Sequence, residues 1–98
     1  MERGGCVYIM TNKHHTTLYT GVTSKLVVRI NQHKSKEFAN SFTSRYNCDK
    51  LVYYKGFPTI DEAIAEEKRI KGGSRQDKID LIKKMNPKWE DLSDGVEE

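Results

Sequence analysis

Two short runs of strand-forming residues, Cys6-Val7-Tyr8-Ile9-Met10 and Leu18-Tyr19-Thr20-Gly21-Val22, stand on either side of a polar stretch from Thr11 to Thr17. Each run is short, apolar and rich in β-branched or aromatic residues, and the connection between them is brief, so together they predict an antiparallel hairpin. Pairing the strands brings Tyr8 and Tyr19, eleven positions apart, onto neighbouring strands. Tyrosine packs well in a sheet, and a pair of phenols can also handle protons. At this point packing and catalysis are both open.

The remainder of the chain supplies what must cover such a hairpin. Thr23 or Ser24 can cap a helix that carries Leu26, Val27 and Ile30 on one face and runs to about Lys34. Residues 35–49 have no sustained period and predict a long loop. Leu51-Val52-Tyr53-Tyr54 predicts a third strand, ended by Gly56 and Pro58. Thr59-Ile60-Asp61-Glu62 matches a capping box and opens a helix to about Lys71, which Gly72-Gly73 terminates. Ser74 with Asp77 opens a last helix bearing Ile79, Leu81, Ile82 and Met85, stopped near Asn86-Pro87. The expected fold is a mixed α/β domain of the α+β kind: a three-stranded antiparallel sheet flanked by helices, in the order β-β-α-β-α-α.

Length and composition set the bounds. The 98 residues suffice for one core, expected over residues 1–92, with an acidic and disordered tail over 93–98. Apolar residues make up 36% of the chain and charged residues 32%; because the apolar ones are clustered into runs, the chain is expected to fold. No apolar stretch approaches the ~20 residues that span a bilayer, and the N-terminus lacks the apolar segment of a signal peptide, so an intracellular, cytoplasmic protein with no membrane partner is expected. Cys6 and Cys48 lack the C-x-x-C spacing of a zinc or redox site and predict plain thiols. The net charge of +3 conceals an asymmetry. Residues 88–98 set Lys88 against five carboxylates, a net −4, which leaves +7 on residues 1–87. Such a basic body suits a polyanion, although charge runs are also ordinary solvated faces. Lys25, Lys34, Lys36 and Arg45 are the cations expected to meet nucleic acid.

Four positions break the packing pattern: Tyr8, Tyr19, Arg29 and Glu67. On the second helix Glu67 falls near the centre of the arc formed by Ile60, Ala63, Ile64, Ile70 and the stem of Lys71, whereas Glu66 points off it. A carboxylate on a core-facing stripe is normally paired, hydrogen-bonded or bound to a metal. One reading of Glu67 is a salt bridge to a lysine or arginine beneath the sheet; another is a lone ligand for a hard divalent cation such as Mg²⁺. On the first helix Arg29 and His33 stand four residues apart, stacked at the edge of the apolar stripe. A guanidinium there suits phosphate, and an imidazole titrates near neutral pH; both also serve as a snorkelling cation and an edge histidine. His14 and His15 lie in the hairpin loop and are read as loop residues. Phenols, a guanidinium and a lone carboxylate are together the parts that metal-assisted phosphodiester hydrolysis needs.

With these residues in order, the chain resembles the GIY-YIG nuclease superfamily, specifically its small single-domain members, over residues 6 to about 92. Val7-Tyr8-Ile9 stands at the first tripeptide and Tyr19-Thr20-Gly21 at the second, followed by Arg29, His33 and Glu67. The segment from Met85 to Leu92 resembles the closing part of that branch, with Asn86 at its motif asparagine. The resemblance implies a three-stranded antiparallel sheet flanked by helices and hydrolysis of DNA phosphodiesters with one divalent ion, Mg²⁺ or Mn²⁺. It also implies roles: Glu67 as metal ligand, Tyr8 as general base, Arg29 as phosphate and transition-state stabiliser, Tyr19 in orienting water or phosphate, His33 as proton-relay partner, and Asn86 in support of the site. Val7 replaces the glycine of the first motif and Thr20 the isoleucine of the second, and neither change removes a catalytic side chain. Gly72-Gly73-Ser74 replaces a bulkier, more aromatic stretch. With no further DNA-recognition domain expected, binding runs chiefly through phosphates, selecting structure or damage rather than sequence. The competing readings are a non-catalytic nucleic-acid-binding module on the same fold and a protein-interaction domain acting through the acidic tail.

Overall fold

A computed structural model of the chain describes residues 4–36 and 45–96. Most of the loop expected over 35–49 and the last two glutamates lie outside the described residues. The elements are β1 (Gly5–Thr11), β2 (Leu18–Thr23), α1 (Leu26–Lys34), β3 (Lys50–Phe57), α2 (Ile60–Lys71) and α3 (Arg75–Met85), with a 3-10 turn at Ser93–Gly95. The order β-β-α-β-α-α and the antiparallel sheet are those expected from the sequence. The strands are arranged β2-β1-β3.

Every residue of β1 is buried, because the central strand is covered on both faces and its sequence reads as a continuous apolar run. Alternation divides its side chains. Cys6, Tyr8 and Met10 pack with Leu26 and Ile30 of α1 on the first face. Val7 and Ile9 pack with Ala63 and Ile70 of α2 and Ile82 of α3 on the second. Gly5 lets α2 approach β1: a Cβ there would lie 2.7 Å from Ile60 Cδ1 and 2.8 Å from Ala63 Cβ.

Local chemistry sets the element ends. Asn12 organises the hairpin loop, its Oδ1 accepting from the Thr16 and Thr17 amides at 2.8 and 3.1 Å. The first helix starts later than expected. Lys25 is its N-cap and supplies no capping side chain; Thr23 Oγ1 instead accepts from the Lys25 amide at 3.0 Å. Ser74 with Asp77 forms the complete capping box that the sequence predicts on α3, whereas on α2 Thr59 accepts from the Glu62 amide and the Glu62 carboxylate takes the Thr59 hydroxyl at 3.0 Å instead of the cap amide.

The third strand runs on through Gly56, which pairs with Cys6, to Phe57, which pairs with Gly5. Its register with β1 shifts by one residue between Ile9 and Met10, leaving Val52 as the extra residue of a bulge. The C-terminal segment closes this outer edge. Asn86 Nδ2 donates to the Val52 carbonyl at 3.2 Å and to the Glu90 carbonyl at 2.7 Å, and Asn86 Oδ1 accepts from the Glu90 amide at 3.0 Å. The Leu92 amide then donates to the Leu51 carbonyl at 2.8 Å. Trp89 packs on the second face, Leu92 and Val96 on the first, so this segment wraps around β3 and is held through residue 96.

Candidate active site between the hairpin and the first helix

Three aromatic side chains meet on the first face. Tyr8 comes from the middle of β1, Tyr19 from β2 and His33 from the last turn of α1, where it continues the buried stripe of Leu26 and Ile30. Their ring centroids form a near-equilateral triangle, with Tyr8–Tyr19 at 6.2 Å, Tyr8–His33 at 5.8 Å and Tyr19–His33 at 5.6 Å. Tyr8 Oη and His33 Nε2 are hydrogen-bonded at 3.0 Å. The pairing suggested by the hairpin is therefore real, and it recruits the histidine of the helix that follows.

Gly21 makes the triangle possible. It lies directly across the ladder from Tyr8, and a Cβ at this position would stand 2.5 Å from both Cζ and Oη of the Tyr8 phenol. No side chain fits there without moving the ring. The glycine of the second tripeptide is thus the floor on which the tyrosine of the first one rests, a consequence of register that a hairpin alignment of the sequence would have exposed.

Arg29, one helical turn before His33, is half-buried and acts on both titratable partners. Burial pushes the Tyr8 phenol far above its usual range, the neighbouring Tyr19 adds to the shift, and the Arg29 charge opposes it. Burial, then the Arg29 charge, lowers the His33 imidazole. At neutral pH the phenol therefore holds its proton and the imidazole is neutral. The phenol and the imidazole thus stand as neutral hydrogen-bonded partners inside the fold.

Glu67 reaches the region from the other side. It lies on α2 between Ala63 and Ile70, the residues that α2 buries on the second face, and its side chain is 12% exposed. Its Oε2 pairs with Lys71 Nζ of the same helix at 2.8 Å, so the ionic partner is local rather than beneath the sheet. Glu66 is less solvated than its off-arc position suggested: its side chain is 17% exposed and makes two hydrogen bonds to Arg69, which hold the carboxyl below its usual range. Lys71 in turn lines a pocket of about 270 Å³ with Leu18, Tyr19, Thr20 and Lys78. The catalytic candidates do not share one face. Tyr8, Tyr19, His33 and Arg29 occupy the first, and Glu67 approaches β2 from the second, linked through Lys71 to the pocket that Tyr19 lines.

The other candidates lie apart. Asn86 is at the β3 edge, across the sheet from β2. Lys34 is committed to Asp91 Oδ2 at 2.6 Å and to the Asp49 carbonyl at 2.8 Å. Lys36 Nζ donates to Asn47 Oδ1 at 2.6 Å, and Arg45 lies over the Tyr46 ring, 6.0 Å from its centroid. Lys25 is exposed beside the start of α1. His15 stacks on Trp89 with centroids 4.6 Å apart, which ties the hairpin loop to the C-terminal segment. Cys6 and Cys48 are buried free thiols that burial pushes up to about 11. Among the described residues no group of three histidine, cysteine or acidic side chains could hold a metal, and no helix is long and apolar enough to cross a membrane.

Residues 4–80 match the model of the GIY-YIG catalytic domain. The chain belongs to the GIY-YIG family. Relatives of similar size carry no functional name. A UPF0213 protein of Staphylococcus haemolyticus is 37% identical over 76 residues, 78% of this chain and 90% of that one. A UPF0213 protein of Syntrophus aciditrophicus is 34% identical over 71 residues, 72% of this chain and 80% of its own. The solution structure of a UPF0213 protein of Bacillus halodurans is similar with a TM-score of 0.57 and 28% identity, covering 90% of this chain and 92% of that one. As a GIY-YIG domain the chain falls in a nuclease superfamily, and the triangle over Gly21 lies wholly inside the matched residues. Two positions at the site escaped sequence reasoning: Gly21 as a steric floor and Lys71 as the partner of Glu67. The last carried a signal, since Glu and Lys four apart on a helix regularly pair.

Proposed function

We propose that this GIY-YIG domain is a metal-dependent endonuclease that hydrolyses DNA phosphodiester bonds, selecting structure or damage rather than sequence. The observation that carries the reading is the buried Tyr8–His33 hydrogen bond beside Tyr19 and Arg29. A buried phenol with its proton in place is a poor base by itself. Joined to a neutral imidazole, Tyr8 Oη can take a proton from the attacking water as its own passes to His33 Nε2. Tyr19, forming one side of the triangle, orients the water or the phosphate. Arg29 offers its guanidinium to the phosphate and to the charge that gathers on it in the transition state.

Glu67 is the residue that would hold the metal. A single carboxylate, little exposed and paired with a lysine that lines a pocket, fits one Mg²⁺ or Mn²⁺ ion whose remaining ligands are water and substrate oxygens. Such an ion, when bound, neutralises charge on the phosphate and the leaving oxygen. Exposed Lys25, Lys36 and Arg45, with Lys34 where its pair with Asp91 opens, would follow the DNA backbone. Asn86 serves the site at a distance by fixing β3, which pairs with the strand that carries Tyr8.

Nicking of supercoiled DNA in Mg²⁺ or Mn²⁺ tests the reading. Wild-type protein should nick, and Glu67→Ala and Arg29→Ala should each lose about a hundredfold or more in rate. Nicking that survives both substitutions removes this site from consideration. DNA binding without cleavage in any divalent metal would instead identify a nucleic-acid-binding module on the same fold.

A further inference from the structure

The pocket lined by Leu18, Tyr19, Thr20, Lys71 and Lys78 contains an anomaly. Thr20 is 4% exposed, and its Oγ1 is the one buried side-chain oxygen or nitrogen among the described residues with no hydrogen-bond partner. A residue needed there only for packing against α2 would be valine, which has the same shape without the unmet hydroxyl. Both cations of the pocket have partners within the chain. Lys78 Nζ donates to the Gly73 carbonyl at 3.1 Å, and the Lys71 side chain, which is 53% exposed, reaches Glu67 at 2.8 Å.

We propose that Lys71 is an exchangeable counter-ion: its ammonium neutralises Glu67 in the resting protein and moves to a DNA phosphate oxygen in the Thr20–Lys78 pocket when a divalent cation takes the carboxylate. The inference rests on Glu67 as the metal ligand. An ammonium on one oxygen of a carboxylate and a divalent ion on the other repel each other across a few bonds, so each weakens the hold of the other. A lysine stem with several rotatable bonds is suited to the exchange, where an arginine fork would hold the carboxylate more rigidly. The freed ammonium finds a second cation and the Thr20 hydroxyl beside it, and a phosphate oxygen satisfies that hydroxyl. Metal binding and phosphate binding are thereby coupled through one side chain.

Two measurements on the full chain test this: Mn²⁺ affinity by titration calorimetry without DNA, and DNA affinity by fluorescence anisotropy with Ca²⁺ present. Lys71→Met should bind Mn²⁺ about threefold tighter, the scale of an exposed ion pair that no longer competes. The same variant should bind DNA about three- to tenfold more weakly, with a salt slope smaller by about one. Thr20→Val should keep the Mn²⁺ affinity and lose about three- to tenfold in DNA affinity, and Thr20→Ser should restore it. Unchanged or weaker Mn²⁺ binding by Lys71→Met, or unchanged DNA binding by Thr20→Val, overturns the proposal. Glu67→Gln separates the two levels. If it abolishes Mn²⁺ binding while Lys71→Met has no effect, the exchange alone is wrong; if it binds Mn²⁺ like wild type, the metal assignment fails and the exchange with it.

Discussion

A tyrosine is useful here only because a glycine faces it. Tyr8 leans over Gly21 to reach His33, so Gly21→Ala pushes a methyl group into space that Cζ and Oη already occupy. Overpacking of this kind costs about 1–3 kcal/mol. The larger effect falls on the relay, because the hydrogen bond to His33 cannot survive a displaced ring. Gly21→Ala should therefore keep its fold by circular dichroism while losing about a hundredfold in nicking rate. The same hydrogen bond fixes a pH profile. His33 must be neutral to accept the phenol proton, and burial and Arg29 lower it from 6.5. Activity should rise with pH along a limb whose midpoint lies below 6.5 and be level above it. Since the Tyr8 phenol is raised well beyond 10, no loss from its ionisation is expected below that pH. A rate-against-pH series on wild type, with Arg29→Met shifting the limb upward in a residual-activity assay, checks both statements.

Secondary elements were largely legible because each carries its own local signal. Ser74 with Asp77 and Thr59 with Glu62 mark helix starts by side chains that bond the next turn, and a reader of sequence sees such spacing directly. Strand register is less visible. The bulge at Val52 and the passage of β3 through Gly56 arise from pairing with β1, a non-local contact that no window of β3 contains. The site divides in the same way. Tyr8, Tyr19, Arg29 and His33 were legible by pattern and family resemblance, whereas the placement of Glu67 on the opposite face follows from where α2 docks. The closing segment supplies a further expectation at this scale. Asn86→Ala strips the hydrogen bonds from the Val52 and Glu90 backbone groups, one of them fully buried, at a cost of about 2–3 kcal/mol. Urea denaturation should show that loss, and nicking should fall in step with the folded fraction rather than through a separate catalytic defect.

Across the whole molecule, charge and shape act together. Seven net positive charges on residues 1–87 are set against an acidic end, part of which is neutralised internally where Asp91 meets Lys34. A domain extending only 32 × 29 × 24 Å can touch few phosphates at once. With about three such contacts, a fourfold rise in salt should weaken DNA binding roughly fortyfold, and anisotropy titrations across a salt series would check the slope. A slope near zero would mean that the basic body does not face the DNA.

Alternation along β1 carries one more consequence. Tyr8 points to α1, while its neighbours Val7 and Ile9 point to α2 and α3, so a slip of one residue in this strand would swap the two sets and bury the phenol among aliphatic side chains. On the proposed activity, a cutting centre then exists only when hairpin, first helix and second helix have all docked in the correct parity. On that reading a newly made or partly unfolded copy does not cut nucleic acid, and the fold acts as its own safety catch.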